Sequence, residues 1–399
     1  MPKLARVQQR FDSAQIRDIQ GRLAETFGVH AQSVLRPGMR VAITVGSRGI
    51  ANIQEIARAV VEEVRRLDAE VFIVSAMGSH GGATEAGQRL VLAGYGITEE
   101  SVGCPISCTM DTVHLGDTPE GFQVHVDRAA FESDAIVLLN RVKPHSILSG
   151  ELGSGLMKMA AIGLGNRAGA DSIHRAGVER RLLSAARMVL QLAPVQLGVA
   201  IVENALDQTW MIETVPKGEL ESRDKQLLAL ARTLLPTVPF DPIDVLVVEY
   251  MGKIFSGAGM DPNVIGMHRR VGGSAERDIH TIVALDLSAE SHGNAVGVGM
   301  ADIITDELRH KINWDVTYLN AFTSGFFSGV KLPVACRTQR DAVQLAMQSY
   351  DPHRARVVQI SDTAHLEYMQ VSEPLLNELH LYPNLELSGD LTHMAFKDS

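Results

Sequence analysis

The chain is short of several things, and each shortage excludes something. Three cysteines, Cys104, Cys108 and Cys336, in 399 residues make neither a disulfide framework nor a zinc ligand set, so reduced thiols are expected. Aromatic residues are only 5% of the chain, and its two tryptophans, Trp210 and Trp314, read as core or interface residues. Basic blocks are missing and the formal net charge is −10, which argues against broad binding to nucleic acid or anionic membranes. No apolar run approaches the roughly 20 residues of a membrane span. The opening MPKLARVQQRF lacks the apolar core of a signal peptide, so a soluble, cytoplasmic protein is the expectation. There is no GK[ST] phosphate loop and no GxSxG nucleophile elbow, which removes the common nucleotide triphosphatases and serine hydrolases.

What is present is an alternation of strand and helix signals. Val41–Val45, Val71–Ala76 and Ala135–Leu139 are short β-branched or apolar runs, separated by helical patterns over 14–27, 52–67 and from Thr84. Three prolines in TLLPTVPFDP mark a boundary near residue 240. A second set follows, with strands at 244–248, 279–287, 332–336 and 355–360, and helices at 300–311 and 339–350. The expected fold is α/β: two α/β domains, 1–240 and 241–399, with mainly parallel sheets and an active-site cleft between them. The polar tail after Tyr382 is expected to pack weakly.

Ligands of open parallel sheets bind beyond the carboxyl ends of the strands. Arg48, His80 and His145 each follow such an end by a few residues. Any one of them reads plainly as a solvated loop residue, but three in equivalent positions count against that. Arg48 follows Ser47 and precedes a helix, a setting in which guanidinium, hydroxyl and helix start converge on an anion. His80 and His145 suit acid–base work because imidazole titrates near neutrality. The stretch from Asn140 to Gly177 holds seven glycines, and inside it Lys158 interrupts an apolar run, GLMKMAAIGLG. A lysine there must snorkel, pair or be modified. His174 follows sixteen residues later. In the second domain Lys253 is a candidate carboxylate clamp, and Asp261, Asn263, His268, Arg269 and Arg270 share one loop.

Together, SRGI at 47–50, GSHGGAT at 78–84, KPH at 143–145, the Gly-rich run ending in Lys158, and His174 resemble the nickel-pincer lactate racemase family and related 2-hydroxyacid racemases and epimerases. GK at 252–253 and SGAGMDPNVIG at 256–266 resemble the second-domain pattern of its wider relatives. The resemblance implies a pyridinium mononucleotide held covalently on Lys158 through a thioamide, with nickel bound by the pincer and by His174. It implies His80 and His145 as the acid/base pair, and Arg48, with Ser47, near cofactor and substrate carboxylate. It gives Lys253 or Arg269 as a second cation on the substrate.

The implied reaction inverts C2 of a 2-hydroxyacid by hydride transfer to the cofactor and back. The implied partners are the substrate and the enzymes that build the cofactor; an oligomer is compatible. Val45 stands where lactate racemases carry an acid, and His145 and Lys158 are thirteen residues apart, longer than in the lactate enzymes. Malate, an aromatic lactate or an aldonate therefore stand beside lactate as substrates. Two other classes stay open: a hydroxyacid dehydrogenase or lyase with a dissociable metal, and a non-catalytic binder of the cofactor or of a sugar acid.

Overall fold

The computed structural model describes residues 1–146, 150–174, 178–266, 269, 273 and 276–397. The chain forms two compact units, Asp12–Leu235 and a second made of Met1–Phe11 with Pro236–Ser399. The second unit thus begins at Pro236 rather than 241, and the first eleven residues fold with it. The reason is the opening strand β1 (Lys3–Gln9), which buries Leu4, Ala5 and Val7.

The unit Asp12–Leu235 is built on β2 (Arg40–Val45), β3 (Glu70–Ser75), β4 (Ile106–Ser107), the separate hairpin β5 (Thr112–Asp117) and β6 (Gln123–Asp127), β7 (Ala135–Arg141), β8 (Val195–Glu203) and β9 (Thr209–Pro216). Its main sheet runs β4-β3-β2-β7-β8-β9. All neighbours are parallel except β8 and β9. After Arg40, every residue of β2 is buried, as befits a parallel strand covered on both faces. Val41, Ile43 and Val45 join one apolar layer with the helices Ile19–Val34 and Ile53–Arg65. Ala42, Phe72 and Val74 join the other, with Met157, Met159 and the helices Val178–Leu192 and Leu220–Thr233. From β2 the chain moves to β3 on one side, while β7, on the other side of β2, is followed by β8. This reversal between β2 and β7 is the switch point at which open α/β sheets bind ligands.

In the second unit, β10 (Ile243–Met251), β11 (Ile279–Leu287), β12 (Ile303–Thr305), β13 (Val334–Cys336), β14 (Val357–Ile360), β15 (Tyr368–Ser372), β16 (Leu385–Leu387) and β17 (Thr392–His393) complete a sheet ordered β13-β12-β11-β10-β14-β15-β1-β16, with β17 also on β1. The strands from β13 to β14 are parallel, and β15, β1, β16 and β17 add antiparallel pairs.

Several expectations shift. The first helix starts at Ile19, because Asp18 rather than Ser13 caps it by accepting from the Gly21 N–H. The helix expected from Met300 is strand β12 first, with the helix Asp306–Lys311 after it. The tail after Tyr382 is not loosely packed, since β16 and β17 pair β1. All three cysteines are free thiols, and burial pushes Cys104 up to about 11. No helix among the described residues is long and apolar enough to cross a membrane.

Candidate active site at the switch point

The Gly-rich stretch after β7 is closed before it reaches Lys158. Lys143 and Ser154 exchange two backbone hydrogen bonds, at 2.8 and 2.9 Å. Gly155 then starts a short helix, Leu156–Lys158, which widens into a π-helix over Met159–Gly163. The Leu164 N–H donates to Met159 O at 2.9 Å, five residues back. Such π segments recur at functional sites. The start of the helix is pinned from two sides. The buried carboxylate of Asp224 accepts from the Leu156 and Met157 N–H groups at 2.9 and 3.2 Å. The Asn140 amide donates to Gly155 O at 2.7 Å. The far end of the π-helix meets the loop after β3, where the Gly78 N–H donates to Gly163 O at 3.2 Å. Gly163 has to be glycine, because a Cβ there would lie 2.7 Å from Ala76 O.

Lys158 as a whole is half-buried, but burial of its amine dominates its titration. Loss of hydration, and then the positive charge of Arg48, bring it down to about 7. A large fraction of this amine is therefore neutral and nucleophilic at neutral pH.

Ser47 and Arg48 leave the carboxyl end of β2, and His80 leaves that of β3. The Ser47 hydroxyl shares a short hydrogen bond with His80 Nδ1, and the Tyr95 hydroxyl donates to Ser47 O at 2.8 Å. This fixes the His80 ring, which is the usual job of a partner on the second imidazole nitrogen. Beneath it, the fully buried Gln88 donates to Gly78 O at 3.0 Å and to His80 O at 3.3 Å, and accepts from Ser75 at 2.6 Å. Glu203 at the end of β8 accepts from the Ala51 N–H at 2.6 Å and pairs with Arg141. Nearby, Asn52 adopts a left-handed φ of 58°.

Ser47, Arg48, His80 and Lys158 are thus gathered where β2 and β7 part. His145 follows the carboxyl end of β7 in the same sheet, half-buried. His174 is the last residue of the helix Asn166–His174, and its side chain lies outside what the structure describes. Among the described residues, no group of three or more His, Cys, Asp or Glu forms a metal site of its own.

In the second unit, Lys253 stands in the turn after β10, at the carboxyl end of the parallel strands. Arg269 does not. Its guanidinium pairs with Asp302 at 2.7 Å and donates to the carbonyls of Ile279 and His280, which open β11. It is committed to the amino end of the sheet, away from where parallel strands bind ligands. His268 and Arg270 lie outside the described residues. Two cations at the carboxyl end escaped the sequence reading. Lys311 bonds Asp286 at 2.6 Å, and Lys397 bonds Tyr250 at 2.6 Å, on paired positions of β10 and β11.

Asp224 and Glu203 also escaped, though each left a trace. Asp224 sits on the apolar stripe of its helix with Leu220, Leu227, Leu228 and Ala231, and Glu203 ends a strand that has no other polar side chain after Gln196. A carboxylate in such a place needs donors.

Residues 9–182 match the lactate racemase N-terminal domain. The lactate racemase apoprotein from Thermoanaerobacterium thermosaccharolyticum has a similar fold, with a TM-score of 0.53 at 11% identity over 90% of this chain and 98% of that one. No curated protein matches the chain in sequence. The matched residues 9–182 carry the strand ends and Lys158, and over this part the chain is similar to the lactate racemase N-terminal domain.

Proposed function

We propose that the chain is a racemase or epimerase of 2-hydroxyacids that works with a nickel-pincer nucleotide attached to Lys158. The observation that carries this reading is the Lys158 amine, brought to about 7 beside Arg48 at the switch point of the matched domain. A side chain already near neutrality in an apolar run loses little when acylation removes its charge for good. The fit extends to the surroundings, because Arg48 offers a guanidinium for a nucleotide phosphate or a substrate carboxylate. His174 remains the proposed nickel ligand, since imidazole suits that metal. When bound, the group supplies nickel and an electrophilic carbon that accepts and returns the hydrogen of C2.

The chain's own residues do the rest. Arg48 orients the carboxylate, and Lys253 is the proposed second cation. His80, its ring held by Ser47, moves the proton of the C2 hydroxyl for one enantiomer. His145, from the neighbouring β7 loop, does so for the other. Two bases serving opposite faces of a planar keto acid are what inversion requires. Arg269, with its guanidinium engaged at the other end of the sheet, is not retained. Enzymes that build the nucleotide are the proposed partners.

The test is chiral analysis of matured protein given single enantiomers of lactate, malate, aromatic lactates and aldonates. Inversion at C2 without net keto acid is expected. Net keto acid that depends on added nicotinamide nucleotide would indicate a dehydrogenase instead, and binding without turnover would indicate a carrier.

A further inference from the structure

The helix that carries Lys158 is too short to hold itself in place. Only Leu156–Lys158 is α-helical before the wider π turn begins, so the usual ladder of backbone bonds hardly exists there. Its first N–H groups have no intrahelical partner. Asp224 supplies one, from a different helix and across the core. Its side chain is 3% exposed, and both carboxylate oxygens are used, one on Leu156 and one on Met157. Space is matched as well. A Cβ on Gly155 would fall 2.3 Å from the nearer oxygen, so the glycine makes room for the carboxylate. Asn140, from β7, fastens the same residue through its carbonyl. Burial raises Asp224 to about 6, opposed by the two backbone bonds, so the fold holds a carboxylate where an apolar side chain would be the simpler choice.

We propose that Asp224 is a positioning residue: its buried carboxylate fixes the first turn of the Lys158 helix and thereby holds the Lys158 amine, dehydrated, beside Arg48. This deepens the attachment role given to Lys158 above, but its test needs no cofactor.

Trace acetic anhydride labelling of the unloaded full chain across pH, mapped by peptide mass, gives the titration midpoint of Lys158. Replacing Asp224 with Ala should let water reach the amine and raise the midpoint by about one unit or more, cutting the neutral fraction at pH 7 about fivefold or more. D224N keeps one acceptor oxygen and should shift it less. G155A, which pushes the carboxylate off the two N–H groups, should shift it in the same direction as D224A. Circular dichroism identifies which variants fold, and if D224A does not, D224N and G155A carry the test. An unchanged midpoint in folded variants would overturn the proposal. So would a lower midpoint, which would mean that Asp224 acts only as a nearby negative charge. A failed attachment reading would show separately, as an absent adduct on Lys158 in matured protein with the labelling result intact.

Discussion

At Lys158, burial and the Arg48 charge act in the same direction, since both disfavour the ammonium. The folded chain therefore binds fewer protons there than the unfolded chain between about 7 and the ordinary lysine value of 10.5. The resulting destabilisation is full below about 7 and disappears as pH rises to 10.5. Lys158→Met should accordingly stabilise the unloaded protein at pH 7, with a gain that shrinks toward pH 10. Denaturant unfolding at both pH values checks this, and an equal gain at each would contradict it.

His80 is a second residue-scale case, because its ring is held through Ser47. H80A should lower turnover about 10²–10⁴-fold in both directions while leaving a Lys158 adduct in place, and S47A about tenfold. Steady-state rates from each enantiomer measure both effects, and full activity of H80A would remove its role. At this scale the sequence singled out Arg48, His80 and Lys158, which the fold brings to the carboxyl end of one sheet, because chemistry-bearing side chains after strand ends stand out. It gave only a faint trace of Asp224 and Glu203, whose carboxylates are held by backbone N–H groups far away in the chain. It misplaced Arg269, because a loop of mixed charge does not reveal which end of a sheet it returns to.

Among the elements, the π-helix Met159–Gly163 packs closely against the loop after β3. Gly163→Ala would place a methyl 2.6 Å from Met159 Sδ and 2.7 Å from Ala76 O, one of them backbone that cannot yield cheaply. A cost of about 1–3 kcal/mol is expected. Urea unfolding measures it, and a neutral substitution would mean that the loop after β3 has room to spare. The central strands were legible because parallel strands buried on both faces read as plain apolar runs. Other elements were not. The strand β12 is three residues long and continuous with the helix after it, so its pattern merges with helical periodicity. A π-helix has no sequence signature comparable to the α-helical repeat.

For the whole molecule, the instructive segment is the first one. β1 pairs β15 and β16, so Met1–Phe11 belongs to the unit that begins again at Pro236. Proline density located that boundary to within a few residues, but nothing local in KLARVQQ announces partners more than three hundred residues away. Val7, fully buried opposite Met369 and Leu387, gives the test. V7A should cost about 2 kcal/mol. Hydrogen exchange should speed up in β15 and β10 while β2 and β7 stay protected. Faster exchange in β2 and unchanged β15 would contradict the division.

The claim on which the account rests is that Lys158 carries the cofactor. The most direct measurement is intact mass with peptide mapping and nickel analysis, on protein made with and without cofactor-building enzymes proven on a control racemase. The account predicts an added nucleotide mass confined to the Lys158 peptide, roughly one nickel per chain, and neither without those enzymes. An unmodified Lys158 and no nickel in the matured protein would contradict it.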